Sequence, residues 1–513
     1  MRKTWPALAL SILAGCASLP QHVKKLPSAA LADPEDTALG HIVVESEEGK
    51  AHNLSGIHLL SSGDEALDSL VALADHAERT LDIQYYIIRQ DESARDLLQH
   101  VRSAADRGVR VRLLVDDLNT AGEDRRFMHL GQHPNVEVRV FNPFPGGRSA
   151  IWSRILTSIS DIPRINHRMH NKLFVADNAL AISGGRNTGD EYFTLDRHSN
   201  FIDLDLVGAG PVVPQLSASF DAFWNSKYAY PLASLADPAP AATAEPPQSP
   251  VFAAAADSRA EGVAEEDADW LRRELDAHRL KLVWAPATVL ADRPAKIASD
   301  VSPEQEETIA SNIAALMRSA QQEILVISPY FVPGKEGIAL MRELVARGVH
   351  IRIITNSLAS TDAPLVHNGY ARYRAALLKM GVELSEVRPR LGQKRARFHP
   401  FRSANASLHA KTLVIDRRTV FIGSLNMDER SKHFNSELGL VIRSAEIARQ
   451  VTSLIDDISA DGSYRLSLDA SGHVVWSSGE GSEEKVWHSD PETTVMQRLS
   501  IKLLAPFAPE ELL

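Results

Sequence analysis

Two short histidine motifs carry the clearest chemical potential in this 513-residue chain. His170 is followed two residues later by Lys172, and His409 is followed by Lys411 at the same spacing. Histidine titrates near neutrality, so it can attack as a neutral nucleophile or donate a proton when charged. A lysine beside each histidine can stabilise negative charge that builds up on oxygen. A lone motif of this kind is usually a solvated strand edge, but two at matching spacing predict a reaction centre.

Each motif continues in the same way towards an aspartate and an asparagine. Asp177 and Asp416 lie seven residues after the histidines, while Asn187 and Asn426 lie seventeen residues after them. The apolar runs and glycines between these residues predict a hairpin, in which seven extended residues span roughly 23 Å. The aspartates are therefore expected at the hairpin turn in a structural role, and the asparagine amides near the histidine end.

A catalytic histidine also needs a carboxylate to orient its second ring nitrogen. The candidates are Asp203, in the segment Asp-Leu-Asp-Leu-Val, and Glu437, in Glu-Leu-Gly-Leu-Val. The sequence leaves open which carboxylate serves which histidine.

The elements that position these motifs are also repeated. Residues 80–86 predict a strand, and a helix and a second strand follow across Gly108. Residues 323–327 begin the same order, which passes through Gly348. Strand, helix, strand predicts parallel βαβ units, so the expected fold class is α/β and duplicated.

The length exceeds one ordinary core, and composition suggests where the chain divides. We expect a signal peptide at 1–15, an N-terminal tether at 16–54, a first half at 55–232, a linker rich in proline and alanine at 233–269, and a second half at 270–513. The halves are expected to be α/β/α layers packed as a pseudo-dimer, with one active site between them.

The N-terminus has the features of a targeting segment. Arg2 and Lys3 precede an apolar stretch, Trp5 to Leu13, that is too short to cross a bilayer. Leu-Ala-Gly-Cys then ends at Cys16, the only cysteine, and resembles a bacterial lipobox. The resemblance implies cleavage before Cys16, lipidation, and a lipoprotein anchored in the cell envelope, in either the inner or the outer membrane. The alternative is a secretory signal with an incidental cysteine.

Charge bears on the partners of the chain. A formal net charge of -11 argues against non-specific nucleic-acid binding. The arginines before the first motif could attract anionic lipid headgroups or could lie in solvated loops; they are Arg148, Arg154, Arg164 and Arg168. Residues 151–159 suit either an amphipathic helix at a membrane surface or a buried core helix.

The paired motifs resemble the HKD signature of the phospholipase D superfamily, over nearly the whole chain from about residue 55. The flanks Asn-Met-Asp-Glu-Arg-Ser, from Asn426, and Gly-Arg-Asn-Thr-Gly-Asp-Glu-Tyr-Phe, from Gly185, are similar to the cardiolipin synthase branch and its C-type members. The resemblance implies a duplicated phospholipase D fold, a phosphohistidine intermediate, and neither cofactor nor metal. His170 would be the nucleophile and His409 the acid. The lysines and asparagines of both motifs would hold the phosphate oxygens.

By that resemblance, the expected reaction makes cardiolipin from phosphatidylglycerol and a second phospholipid at a membrane surface. Phosphatidylethanolamine is the candidate donor. A hydrolytic phospholipase D would use the same residues, with water as the acceptor. A nuclease is disfavoured by the acidic balance and the tether. A catalytically dead scaffold is disfavoured because both motifs are intact.

Overall fold

The computed structural model describes residues 19–20, 23–148, 153–154, 165–235, 269–297, 307–390, 405–479 and 484–504. Cys16, Arg164 and nearly all of the expected linker and of the 151–159 segment lie outside these residues.

The strands fall into two series. The first series is β1 (Ser55–Leu60), β2 (Thr80–Tyr85), β3 (Arg110–Asp116), β4 (Val136–Phe141), β5 (Leu173–Ala176), β6 (Leu180–Gly184), β7 (Ser199–Ile202), β8 (Asp205–Ala209), β9 (Ala229–Pro231) and β10 (Val283–Ala285). The second series is β11 (Ala287–Ala291), β12 (Glu323–Ile327), β13 (His350–Asn356), β14 (Glu383–Val387), β15 (Asn405–Leu408), β16 (Thr412–Ile415), β17 (Thr419–Gly423), β18 (Leu438–Arg443), β19 (Ser463–Leu468), β20 (Val474–Ser478) and β21 (Lys485–Trp487).

The α-helices of the described ranges are distributed between the same two series. They are α1 (Ala38–Glu47), α2 (Gly63–His76), α3 (Glu92–Asp106), α4 (Asp124–Leu130), α5 (Val212–Asn225), α6 (Trp270–Asp276), α7 (Ile309–Arg318), α8 (Gly334–Ala346), α9 (Pro364–Ala371), α10 (Arg374–Met380), α11 (Glu429–His433), α12 (Ala445–Gly462) and α13 (Val495–Leu504). Short 3₁₀ turns occur at Pro34–Asp36, Leu232–Ser234 and Pro294–Ile297.

Two large sheets have the same internal strand order, which confirms the predicted duplication. The first sheet runs β10-β1-β8-β6-β5-β2-β3-β4-β9, and the second runs β11-β18-β17-β16-β12-β13-β14-β19-β20-β21. From β1 or β11 onward, eight strands correspond one to one. The strands β2, β3 and β4 are parallel, as are β12, β13 and β14. The glycines between helix and strand have the same role in both halves, because Gly108 and Gly348 have φ angles of 103° and 85°.

The described residues form three hydrophobic clusters, and one of them joins the halves. Separate clusters lie on the outer side of each sheet. The third contains Leu216 and Phe220 of α5, Val451 and Ile455 of α12, and strand residues of both sheets. The short strands β7 and β15 also pair in parallel across the halves, with Ile202 opposite Leu408. The halves therefore pack as a pseudo-dimer, as predicted.

Two expected boundaries differ from the observed packing. Strand β10 pairs with β1, and α6 packs on α2, so residues 270–285 join the first half and not the second. The expected tether is also partly folded, because Leu39, Ile42 and Val43 of α1 are buried in the first-half core. Both segments contribute apolar side chains that the first sheet needs to cover its outer face and edge. No helix in the described ranges is long and apolar enough to cross a membrane.

Candidate active site

The two histidine motifs lie just before equivalent hairpins, at the contact between the halves. His170 precedes β5 and His409 precedes β16, so the strands begin slightly later than predicted. The backbone N–H of His170 donates to Ser436 O at 2.9 Å, and that of His409 donates to Ile202 O at 2.8 Å. Each motif is therefore fixed in place by main chain of the opposite half.

Each histidine also takes its carboxylate from the opposite half. His170 Nδ1 lies 2.9 Å from Glu437 Oε2, and His409 Nδ1 lies 2.5 Å from Asp203 Oδ2. All four side chains are buried. With Nδ1–H donated to a carboxylate, the Nε2 atom of each ring holds a lone pair when the ring is neutral. The geometry answers the question that the sequence left open: the carboxylates are exchanged across the interface.

The lysines are buried beside their own histidines. Lys172 Nζ donates to His170 O at 2.6 Å. Lys411 Nζ lies 2.8 Å from His409 Nδ1 and also donates to His409 O. The two ammonium groups are close enough to repel each other, and burial together with this repulsion holds the pKa of Lys172 well below its usual value. An anionic ligand would relieve this repulsion and favour the charged form of both lysines.

Burial dominates the titration of both histidines. It lowers the pKa of His170 to about 4, although Glu437 opposes the shift. Burial and Lys411 also lower the pKa of His409. Burial by itself would raise the pKa values of Asp203 and Glu437, but the histidines and lysines outweigh it and keep both carboxyls below their ordinary values. At neutral pH the unliganded site therefore pairs neutral histidines with ionised carboxylates.

The two asparagines differ from each other. Asn187 Oδ1 accepts from Ile87 N at 3.3 Å, and its Nδ2 donates to Tyr192 Oη at 3.0 Å. Tyr192 in turn meets the His409 ring edge-on at 5.3 Å. Asn426 is buried, and its Oδ1 has no hydrogen-bond partner within the described part of the chain. Asn426 is thus the freer of the two amides for a ligand.

The motif aspartates lie at the other end of the hairpins, away from the histidines. Asp177 accepts the backbone N–H groups of Glu78, Arg79 and Thr80 at 2.8 to 2.9 Å. Asp416 accepts those of residues 321–323. Both aspartates have positive φ, 52° and 48°, as the hairpin turn requires. They hold the turn to the start of the neighbouring strand, β2 or β12, and so should not be grouped with the reacting residues.

Several supporting residues escaped the sequence reasoning. Tyr86 contacts the His170 ring edge-on at 5.1 Å, and the Ser424 hydroxyl donates to Glu437 Oε2. Asp116 Oδ2 accepts from Met169 N at 2.9 Å, and Asn356 Oδ1 accepts from Leu408 N at 2.8 Å, so an equivalent side chain fixes the residue before each motif. The repeat itself could have revealed Asp116 and Asn356, since each ends the second strand of its βαβ unit.

Around Ser424 the halves depart from symmetry. The first half has Gly185 at the corresponding position, where an added Cβ would lie 2.1 Å from Asp203 Oδ1. In the second half, the Ser424 hydroxyl donates to the longer Glu437 side chain. In the first half, the absence of a side chain at Gly185 provides the space that the Asp203 carboxylate occupies.

The described arginines before the first motif match neither expectation for them. Arg148 and Arg154 pair with Asp117, and Arg168 pairs with Asp116 at 3.2 Å. Asp116, Asp117, Arg154 and Arg168 are fully buried. These cations therefore brace the loop around the site and are not available to attract lipid headgroups.

One further polar cluster resembles a metal site by its residue types, namely His367, Glu386 and Asp490. The guanidinium of Arg374 already lies among them, bonded to Glu386 at 2.7 Å and to Asp490 at 3.0 Å. The cluster is a buried ion-pair network in which a cation is already present.

Comparison with known proteins gives concordant results across the chain. The family model described as "cardiolipin synthase, PLD-like domain" matches residues 70–224 and 313–458. Cardiolipin synthase C of Escherichia coli (strain K12) is 38% identical over 456 residues, which cover 88% of this chain and 95% of that protein. Cardiolipin synthase 1 of Bacillus anthracis is 25% identical over 438 residues, covering 82% and 69% of the two chains.

A solved structure supports the fold independently of close sequence similarity. Phosphatidylserine synthase of Haemophilus influenzae Rd KW20 superposes with a TM-score of 0.56 at 14% identity, covering 92% of this chain and 100% of that one. At this identity the likeness concerns the fold alone, and it agrees with the duplicated α/β architecture.

Proposed function

Because the chain belongs to the family of cardiolipin synthases with phospholipase D-like domains, we propose that it transfers a phosphatidyl group to the glycerol end of phosphatidylglycerol and so makes cardiolipin. The observation that carries the proposal is the exchange of carboxylates across the halves. It leaves two Nε2 lone pairs beside two buried lysines.

In the first step, His170 Nε2 attacks the phosphorus of a donor phospholipid, and the bond to the headgroup alcohol breaks. The alcohol leaves with a proton from His409, which must be protonated in the substrate complex. A bound phosphodiester favours that state, because its negative charge raises the pKa of a nearby histidine. Lys172, Lys411 and the Asn426 amide stabilise the charge on the non-bridging oxygens.

In the second step, His409 is neutral and takes the proton from the incoming glycerol hydroxyl. That oxygen attacks the phosphohistidine, the P–N bond breaks, and His170 returns to its starting state. If water replaces the glycerol, the product is phosphatidic acid. The same residues thus support a hydrolytic phospholipase D as the second candidate. Asp177 and Asp416 take no part in either step and act as structural turn residues.

A product assay separates the candidates. The full chain is incubated with vesicles of labelled phosphatidylglycerol, with and without phosphatidylethanolamine, beside His170→Ala and His409→Ala. His350→Ala is the matched control, because this exposed histidine begins strand β13, whereas the active site lies at the other end of that strand, near Asn356. Cardiolipin from wild type and control alone supports the synthase, and a gain with phosphatidylethanolamine identifies the donor. Phosphatidic acid without cardiolipin rejects the synthase and leaves the hydrolase.

We also propose that the enzyme is a lipoprotein of the bacterial cell envelope, anchored through Cys16 and working at a membrane surface. The support is the sequence around Cys16 and a reaction whose substrates lie in membranes. Labelled fatty acid should be incorporated into the wild-type chain in bacterial cells and lost in Cys16→Ser. Equal labelling of both chains would reject the anchor.

A further inference from the structure

The C-terminal helix α13 has an apolar face that the described residues do not cover. Val495 and Met496 are 72% and 73% exposed, and Leu499 and Leu503 are 51% and 65% exposed. At 3.6 residues per turn these four side chains fall within about 100° of the helix circumference. A contiguous, solvent-exposed apolar surface of this kind usually marks an interaction site.

The charged residues of the same helix are both basic. Arg498, whose Nη1 also donates to Thr493 O at 3.0 Å, lies along one edge of the apolar stripe, and position 502 on the same edge of the helical wheel is a lysine. Gln497 and Ser500 lie towards the other edge. Ile501 is half-buried towards the protein. An apolar stripe bordered by basic residues is the pattern of a helix that lies in the interface of an anionic membrane.

The segment before α13 fixes the direction of this face. Asp490 bonds to Arg374 at 3.0 Å, and Glu492 accepts from Tyr464 Oη at 2.5 Å. Burial favours neutral Asp490, but His367 and Arg374 outweigh that effect and keep the pKa of its carboxyl below the ordinary value. The buried network around Arg374 therefore has a role: it holds the start of the helix to the second half.

The helix packs on an element of the second half whose preceding residues lie near the active site. It packs against α9, where Leu365 is a further exposed apolar residue at 37%. The chain just before α9 contributes Asp362, which accepts from Tyr330 Oη at 2.6 Å. The charge of Asp362 also acts on His409 and Lys411, so the chain before α9 lies within electrostatic range of the site. The helix that bears the apolar stripe therefore contacts α9, and the chain just before α9 is within electrostatic range of the histidines.

We propose that α13, together with Leu365, is a membrane-docking surface that seats the active-site side of the second half on a bilayer containing anionic phospholipid. The inference rests on the proposed function for its substrate, which lies in the bilayer. Val495, Met496, Leu499 and Leu503 enter the acyl boundary, and the basic edge contacts phosphate groups. Docking at this surface brings a phospholipid headgroup to the site without extracting the lipid far from the membrane.

A depth-quenching experiment tests the surface directly. Cys16 is the only cysteine, so a Cys16→Ser background leaves an introduced thiol as the single labelling position. An environment-sensitive fluorophore is placed at Leu499→Cys, and at Val44→Cys as the matched control, since Val44 is also exposed (55%) but lies on α1 of the first half. In phosphatidylglycerol vesicles containing spin-labelled lipid, the probe at 499 should shift to shorter wavelength and be quenched. The probe at 44 should show neither change.

A substitution experiment measures the same surface without a label. Exchanging Met496, Leu499 and Leu503 for glutamine should weaken partition of the Cys16→Ser chain into vesicles by roughly ten-fold or more. Val44→Gln should leave partition unchanged.

The outcomes separate this inference from the proposed reaction. Absence of quenching at 499, or equal quenching at 44, overturns the surface even if cardiolipin is formed. A blue shift without lipid quenching indicates a second copy of the chain on the helix and also overturns it. Quenching at 499 without cardiolipin supports the surface and rejects the synthase.

Discussion

Replacing Glu437 with glutamine tests the carboxylate exchange most directly. In the wild type, the ionised carboxylate accepts Nδ1–H of His170 at 2.9 Å and leaves the lone pair on Nε2. A glutamine amide can donate to Nδ1 instead, which moves the ring hydrogen to Nε2 and removes the nucleophilic lone pair. Side-chain size is nearly unchanged, so the effect falls on the tautomer and not on packing.

The expected size of the effect follows from that tautomer change. When a carboxylate that orients a catalytic histidine is changed to its amide, turnover falls by about 10³ to 10⁴-fold. This loss corresponds to about 4 to 5.5 kcal/mol of barrier. Since His170 acts only with Glu437 in this scheme, the double variant Glu437→Gln/His170→Ala should lose little more than His170→Ala alone.

The assay is initial-rate cardiolipin formation, with the melting temperature measured on the same preparations. Ser424→Ala is the matched control: it removes one donor to the same carboxylate but keeps the His170 contact. Its rate should stay within about ten-fold of wild type, in line with one lost hydrogen bond. If folded Glu437→Gln keeps more than about a tenth of wild-type turnover, the orienting role is wrong.

Three further predictions concern the aspartates, the glycine and pH. Asp416→Ala should lower the free energy of unfolding by about 1 to 3 kcal/mol because the backbone N–H groups of residues 321–323 lose their acceptor, while the folded fraction keeps its turnover; a loss of turnover at unchanged stability would contradict the turn role. Gly185→Ala should displace Asp203 and cost on the order of 100-fold in turnover, against less than ten-fold for Ser424→Gly; similar rates for the two would contradict the asymmetry. The pKa of His170 is about 4 in the folded state but near 6.5 in the unfolded chain, so the unfolded state takes up a proton first as the pH is lowered. The free energy of unfolding should therefore decrease as the pH falls from 6.5 to 4, by up to roughly 3 kcal/mol. Urea titrations of wild type and His170→Ala at several pH values check this, and equal slopes would reject it.

The sequence predicts features that repeat locally, and it misses features that depend on packing between segments. The hairpins, the turn aspartates and the identity of both carboxylates follow from spacing within each half. The exchange of Asp203 and Glu437 does not, because it depends on how β7 meets β15 and how Ser436 meets the first motif. The roles expected of the arginines fail for a similar reason: their partners Asp116 and Asp117 are 31 to 52 residues away in sequence, and nothing local marks these carboxylates as buried acceptors.

The first-half boundary illustrates the same limit. Residues 270–285 follow a segment rich in proline and alanine, and composition alone assigns them to the half that comes next. In the structure, strand β10 from this segment instead extends the first sheet, because the edge of β1 offers unpaired backbone groups to it.

The exchange of carboxylates has a consequence for how such a chain arose. In a symmetric dimer of single halves, each protomer would lend its carboxylate to the histidine of the other, and neither would be complete alone. After fusion of two copies, each histidine still depends on the carboxylate of the other half, but the two halves no longer need to have the same sequence. One side can then keep a glutamate with a serine and the other an aspartate with a glycine. Independent variation of the two positions would allow the two histidines to take the separate roles that we propose for them, one in attack and one in proton transfer.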